Sequence, residues 1–256
     1  MTPKIGTLAD RIANRLMRTF PGPSVRMAPE RPIVSFTFDD APRSAWEHGA
    51  PILEAVGGRG TYYLAGGLIE AGSPELQLIS PDEAADLAAR GHELGCHTFS
   101  HPKLSALSRK ALAADFDRNA AFLSALDGQS APRNFAVPFA MATPLRQRLL
   151  RDRFRTSRGG RPGINRGPTD LHYLSAVELR ESFLDANGIE AWLDDLEQTP
   201  GWLILFTHHI ADNPVGGFGL SAETFAKVVD SVDRRRIGML TVNSALDLLK
   251  MNMQPR

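Results

Sequence analysis

From residue 32 onward, short apolar runs alternate with amphipathic helical stretches along nearly the whole chain, and this pattern constrains the fold more than any other feature. "PIVSFTF" (32–38), "GTYYLA" (60–65), "HELGCHTF" (92–99), "RNFAVPFA" (133–140) and "GWLILFTHH" (201–209) read as strands. The stretches at 45–57, 80–91, 108–128 and 143–153 read as helices between them. Strand alternating with helix predicts a parallel sheet, open or closed into a barrel. The run "WLILF" is apolar without alternation, as expected of a strand covered on both faces.

Local signals set the boundaries. Ser80 is placed as an N-cap, Pro81 opens its helix and Gly91 ends it. Gly57 and Gly58 stop the helix before them, and Ser221 with Glu223 opens a late helix. "SRGGRPGINRGPT" (157–169) reads as a loop. "AVELRESF" (176–183) and "GIEAWLDDLEQ" (188–198) read as helices, and "MLTVNSALDLLK" as a last strand and helix. Residues 1–30 form a lead-in, in which Leu8, Ile12, Leu16 and Phe20 at four-residue steps predict an amphipathic helix packed on the domain. A membrane-surface helix is the alternative. Residues 31–256 are expected to be one domain, since a chain of 256 residues suits one large α/β unit.

Composition excludes some classes. The formal net charge of +0 gives no bulk attraction to nucleic acid. The single cysteine, Cys96, rules out an internal disulfide. No window approaches the ~20 apolar residues of a spanning helix. Asp10, Arg11, Arg15 and Arg18 interrupt any secretory apolar core, so a cytoplasmic location is expected.

In parallel α/β barrels the chemistry gathers where strands end. Here the strands end in Asp39 and Asp40, in His97 and His101, at Pro138, and in His208 and His209. One carboxylate with two imidazoles makes a three-ligand metal site with open positions. The second carboxylate could then serve as a base, and a histidine across the site could give a proton to a leaving amine.

These segments resemble the polysaccharide deacetylase family, the NodB-homology carbohydrate esterases. "TFDD" (37–40) matches the first family motif, "HTFSH" (97–101) the second, and "ILFTH" (204–208) the last, and the likeness spans residues 33–242. The resemblance implies an α/β fold, a distorted (β/α) barrel of about seven parallel strands. It implies Asp39 as catalytic base, His208 as catalytic acid, and Asp40, His97 and His101 as ligands of one divalent metal. Zinc is the first choice of ion; cobalt, nickel and manganese suit the same donors. Hydrolysis of an acetyl group, usually on a sugar, is the implied reaction. Pro138 and Phe139 would help to hold an oxyanion through a backbone N–H. The chain departs from the family in two places. "FAVPFA" puts Ala136 and Val137 where an arginine that orients the base commonly stands, and no Asp-rich fourth motif is evident around Trp192. His209 stands where many members have Asp and is read as a bystander.

The expected partner is an acylated amino sugar, an oligosaccharide or a lipid-linked glycan precursor, with no nucleic acid. One alternative is an amidase or deformylase on a lipid-linked sugar or small-molecule amide. Another is a non-catalytic glycan-binding barrel. His92, Cys96 and Trp202 are read as structural, and His48 and His172 as lone histidines without a role. Arg151, Arg153, Arg155, Arg158, Arg161 and Arg166 are read as a solvated basic face. The sharper alternative has Arg158, Arg161 or Asn165 meeting an anionic substrate in the site.

Overall fold

The computed structural model describes residues 7–19, 22–72, 76–130, 133–182, 187–212, 214 and 217–250. The strands of its main sheet are β1 (Ile33–Asp39), β2 (Thr61–Leu64), β3 (Glu93–Cys96), β4 (Asn134–Ala136), β5 (Thr156–Arg158), β6 (Val177–Glu178), β7 (Trp202–Thr207) and β8 (Gly238–Met239). They pair in parallel in the spatial order β5-β4-β3-β2-β1-β7-β6. The short β8 lies beside the start of β1. Chain order and spatial order therefore agree around the ring. The ring closes through an isolated bridge between Arg158 at the end of β5 and Leu174, ahead of β6. This is the parallel sheet that the alternation predicts, in the distorted barrel of about seven strands that the family resemblance implies.

Helices α1 (Leu8–Thr19), α2 (Ala50–Ala55), α3 (Gly66–Ala71), α4 (Pro81–Ala89), α5 (Arg109–Asp127), α6 (Gln147–Arg153), α7 (Gly188–Gln198), α8 (Ala222–Arg234) and α9 (Val242–Lys250) accompany the sheet. Ser80 and Glu83 form a reciprocal capping box at α4, and Ser108 and Ser221 cap α5 and α8 through Ala111 N–H and Thr224 N–H. All seven residues of β1 and all six of β7 are buried, because helices cover one face and the barrel interior the other. Outside the barrel wall, Phe38 stacks on Tyr62 with centroids 4.6 Å apart, and Phe225 of α8 meets Phe36 and Phe38 edge-on.

Three sequence expectations change. "AVELRESF" yields the strand β6 rather than a helix: Val177 and Glu178 pair with Leu205 and Phe206, and ladder pairing overrides helical composition. "SRGGRPGINRGPT" is not all loop. Its first residues complete β5, and Gly167–Thr169 pairs antiparallel with Val25–Met27. Helix α1 does pack on the domain, but through the opposite face. Leu8, Ile12 and Leu16 are 68%, 52% and 43% exposed, while Met17 is buried. Phe20 lies outside the described residues. No helix among the described residues is long and apolar enough to cross a membrane.

Candidate active site

The carboxyl ends of β1, β3, β4, β5 and β7 converge, and their loops carry most of the backbone strain. Among the described residues eight non-glycine residues have positive φ, and six lie here: Asp40 (61°), Ala41 (50°), Thr98 (67°), His101 (50°), Phe139 (57°) and Ala140 (52°). Each such residue costs about 1–3 kcal/mol and persists only where its surroundings over-determine it. The left-handed turn after β1 separates the two adjacent carboxylates, so that they serve different partners.

Asp40 faces the histidines. Its Oδ1 lies 3.2 Å from His101 Nε2 and 3.6 Å from His97 Nε2, and the three ligand atoms fall within 4.8 Å of one another. His97 Nδ1 lies 2.8 Å from the carbonyl oxygen of Ala136, an acceptor only, so Nδ1 carries a proton and Nε2 is the atom turned toward Asp40. Burial pushes His101 down to about 4, which keeps that imidazole neutral at ordinary pH. Asp40 Oδ1 is buried and has no hydrogen-bond partner. An orphaned carboxylate oxygen facing two imidazole nitrogens is costly on its own and fits a divalent ion with mixed nitrogen and oxygen ligands.

Asp115 was not anticipated from sequence. It projects from α5 into the loop between the two histidines and accepts hydrogen bonds from Phe99 N–H (2.7 Å) and Ser100 N–H (3.1 Å) and from the Ser100 hydroxyl. Nothing near residue 115 in the chain signals this role, because its partners lie 15 and 16 residues upstream. Asp115→Ala leaves two backbone donors unpaired. Its metal affinity is expected to fall about 10- to 100-fold, as with other residues that support metal ligands. Isothermal titration with zinc checks this.

Asp39 has a different environment. It is 5% exposed, and both of its oxygens accept from Nη2 of Arg158, at 2.6 Å for Oδ2. Burial alone would raise its pKa. Arg158, with His97 and His208 nearby, outweighs burial and holds the carboxyl below the usual range. Arg158 is 1% exposed, with its guanidinium 4.5 Å from the centroid of Phe206 and 5.4 Å from that of Tyr63. The Tyr63 ring lies over Gly95, where a Cβ would come within 2.5 Å of it. Arg158 thus reaches Asp39 from the end of β5. The same strand-end rule that marked Asp39 would have marked Arg158 had the sequence around it been read as strand.

The remaining arginines of that run do not converge on Asp39. Arg151, Arg153, Arg155 and Arg166 pair with Asp170, Asp117, Asp247 and Asp195. Arg161 donates to the Ser175 hydroxyl, and Asn165 is buried on the backbone of Ser175 and Trp202. The basic face is therefore mainly a set of ion pairs, and one of its members is part of the site.

His208 follows β7, half-buried, with its ring 5.5 Å from that of Phe218. It is an electrostatic neighbour of both Asp39 and His101. His209 turns away to Ser44, with Nδ1 3.4 Å from the hydroxyl, and is outside the ligand cluster. Pro138 is buried, and Phe139 is 48% exposed with its ring 4.6 Å from that of His101. His92 is structural, held between Gly60 N–H and Glu54. Burial pushes the Cys96 thiol up to about 11, so it is inert. Trp202 is a core residue bonded to Ser35, and Trp192 packs on the core.

Residues 26–152 match the sequence model of the family described as polysaccharide deacetylase. That span holds Asp39, Asp40, His97, His101, Pro138 and Phe139 and stops before Arg158 and His208. No curated protein matches the chain. Solved structures share the fold. The peptidoglycan deacetylase PdaC from Bacillus subtilis is 16% identical, covers 88% of this chain and 94% of its own, and has a TM-score of 0.55. A family 4 carbohydrate esterase from Bacillus anthracis is 14% identical over 96% and 94%, with a TM-score of 0.59. A family 4 acetyl xylan esterase from Clostridium thermocellum, solved with a cobalt ion, is 16% identical over 84% and 91%, also with a TM-score of 0.59.

Proposed function

Since residues 26–152 match the sequence model of the polysaccharide deacetylase family, we propose that this chain hydrolyses the acetyl group of an acylated amino sugar or glycan, using one divalent metal ion. The observation that carries this reading is the division of labour between adjacent carboxylates: Asp40 faces two imidazoles while Asp39 is clamped by Arg158 beside them.

Asp40, His97 and His101 would hold the ion, zinc being the first choice. A divalent ion in such a set supplies Lewis-acid chemistry, acidifying water and polarising a carbonyl. Asp39, kept ionised by Arg158, takes the proton of the attacking water. The backbone N–H of Phe139 would stabilise the oxygen that gains charge. His208 delivers a proton to the departing nitrogen as the carbon–nitrogen bond breaks. The products are acetic acid and a free amine: water gives one proton to Asp39 and its OH to the acetyl carbon, nitrogen takes its proton from His208, and return of the Asp39 proton to His208 through solvent restores both groups. The family assignment and the paired roles of Asp39 and Asp40 favour this reading over an amidase of other substrates or a non-catalytic barrel.

Metal content tests the ligand set. After identical dialysis against zinc, wild type is expected to retain about one equivalent and His101→Ala little, since a site reduced to two protein ligands binds weakly. Elemental mass spectrometry reads the difference. Equal, negligible metal in both proteins would remove the metal-dependent reading. A panel of acetylated amino sugars, assayed with the loaded wild type, then tests the reaction.

A further inference from the structure

Helix α1 is mounted with its polar side inward. Asp10, its sole acid, accepts from the Ser105 hydroxyl (2.6 Å) and lies 3.9 Å from Lys103. Asn14 accepts from the Tyr173 hydroxyl (3.4 Å), Arg18 donates to the Gly160 carbonyl (3.2 Å), and Met17 is buried. The outward side carries Leu8, Ile12 and Leu16, in one row at four-residue steps. At 3.6 residues per turn, Arg11 and Arg15 run along one flank of that row, both exposed. A helix stabilised only by packing on its own domain would bury the apolar row; this one displays it.

The display continues toward the site. Residues 103–105, the Pro144–Arg146 turn, Gly160 and Tyr173, against which α1 lies, follow the carboxyl ends of β3, β4 and β5. Leu145 of that turn is 80% exposed, and Phe139, against the His101 ring, is 48% exposed. Among the described residues six large hydrophobic side chains are exposed, and five of them are Leu8, Ile12, Leu16, Phe139 and Leu145. Such concentration beside a site mouth marks an interaction surface. The charge selects the occupant. An anionic lipid surface takes both the apolar row and the arginines beside it.

We propose that α1 is an interfacial helix that seats the protein on an anionic lipid surface, with the site mouth turned toward it. Resting on the deacetylase reading above, this assigns the substrate to acylated sugars carried on lipid. The test uses the full chain and vesicles of phosphatidylcholine with or without phosphatidylglycerol, read by co-sedimentation. Wild type is expected to partition onto the phosphatidylglycerol vesicles, less so at high salt. The triple variant Leu8→Ser, Ile12→Ser, Leu16→Ser and the variant Arg11→Glu, Arg15→Glu are each expected to lose about tenfold or more in partitioning. These residues are exposed, so unchanged circular dichroism and unchanged turnover of a water-soluble acetylated oligosaccharide are expected of both variants. Wild type that ignores anionic vesicles, or a triple variant that binds as wild type does, overturns the proposal. So does a wild-type dimer in analytical ultracentrifugation that the triple variant abolishes while vesicle binding is absent. Vesicle binding is read without turnover: a chain that binds vesicles yet hydrolyses no acetylated sugar contradicts the deacetylase reading and not the docking surface.

Discussion

Asp39→Asn is expected to lower turnover of an acetylated amino sugar by about 10²- to 10⁴-fold while the chain keeps its metal, the range a positioned general base supplies. The amide has nearly the shape of the carboxylate but cannot accept the proton of water. Asp39 is not among the three groups that face one another as ligands, so metal content should stay near that of wild type. Single-turnover kinetics together with elemental analysis separate the two effects. A variant that turns over as fast as wild type would exclude Asp39 as the base. One that loses metal and activity together would make Asp39 a ligand instead.

The second large effect is expected at Arg158. Arg158→Met keeps the length and apolar contacts of the side chain between Tyr63 and Phe206 but removes the charge that faces Asp39. Breaking a buried ion pair from one side costs about 3–5 kcal/mol, because the remaining charge is left without a partner in a poorly solvating interior. Urea unfolding near neutral pH measures that cost. The pH dependence gives a readout that mere loss of stability would not. In wild type the Asp39 pKa is depressed, so its stabilising contribution is present above its unfolded pKa and is lost as pH falls through the folded one. Without Arg158 the burial effect is unopposed, the folded pKa rises, and the acid limb of the activity profile moves to higher pH. Arg158→Lys restores a charge without the guanidinium fork and is expected to recover part of the shift. An acid limb that stays in place in Arg158→Met would show that Arg158 supports the fold without setting the protonation of Asp39.

Much of this was legible from the chain alone, for identifiable reasons. A parallel strand covered on both faces is apolar throughout, so "WLILF" revealed a buried strand without knowledge of its neighbours. Chemistry at strand ends is a rule of the architecture, so Asp39, Asp40, His97, His101 and His208 could be grouped; the family resemblance singled out Asp40 with the first two histidines, and the structure brings those three together. The helix caps were equally plain, because a cap is a bond between residues three positions apart.

What the sequence concealed depends on partners distant in the chain. Arg158 and Asp39 are 119 residues apart, and Gly-Arg-Pro composition disguised the strand that brings them together. Asp115 supports the histidine loop from a helix whose sequence gives no sign of it. The spacing of Leu8, Ile12 and Leu16 fixed an amphipathic helix, but periodicity is indifferent to which face meets the domain. That was decided by the groups waiting on the barrel rim: Ser105, Lys103, Gly160 and Tyr173 offer hydrogen bonds and charge, so the polar side of α1 turned inward and its apolar row outward. The sequence by itself determined which elements form and which residue types stand at their ends, since backbone propensity and burial period act locally. Only the tertiary structure decided which of those ends meet and which faces stay bare, since those choices are made by contacts that chain proximity does not encode.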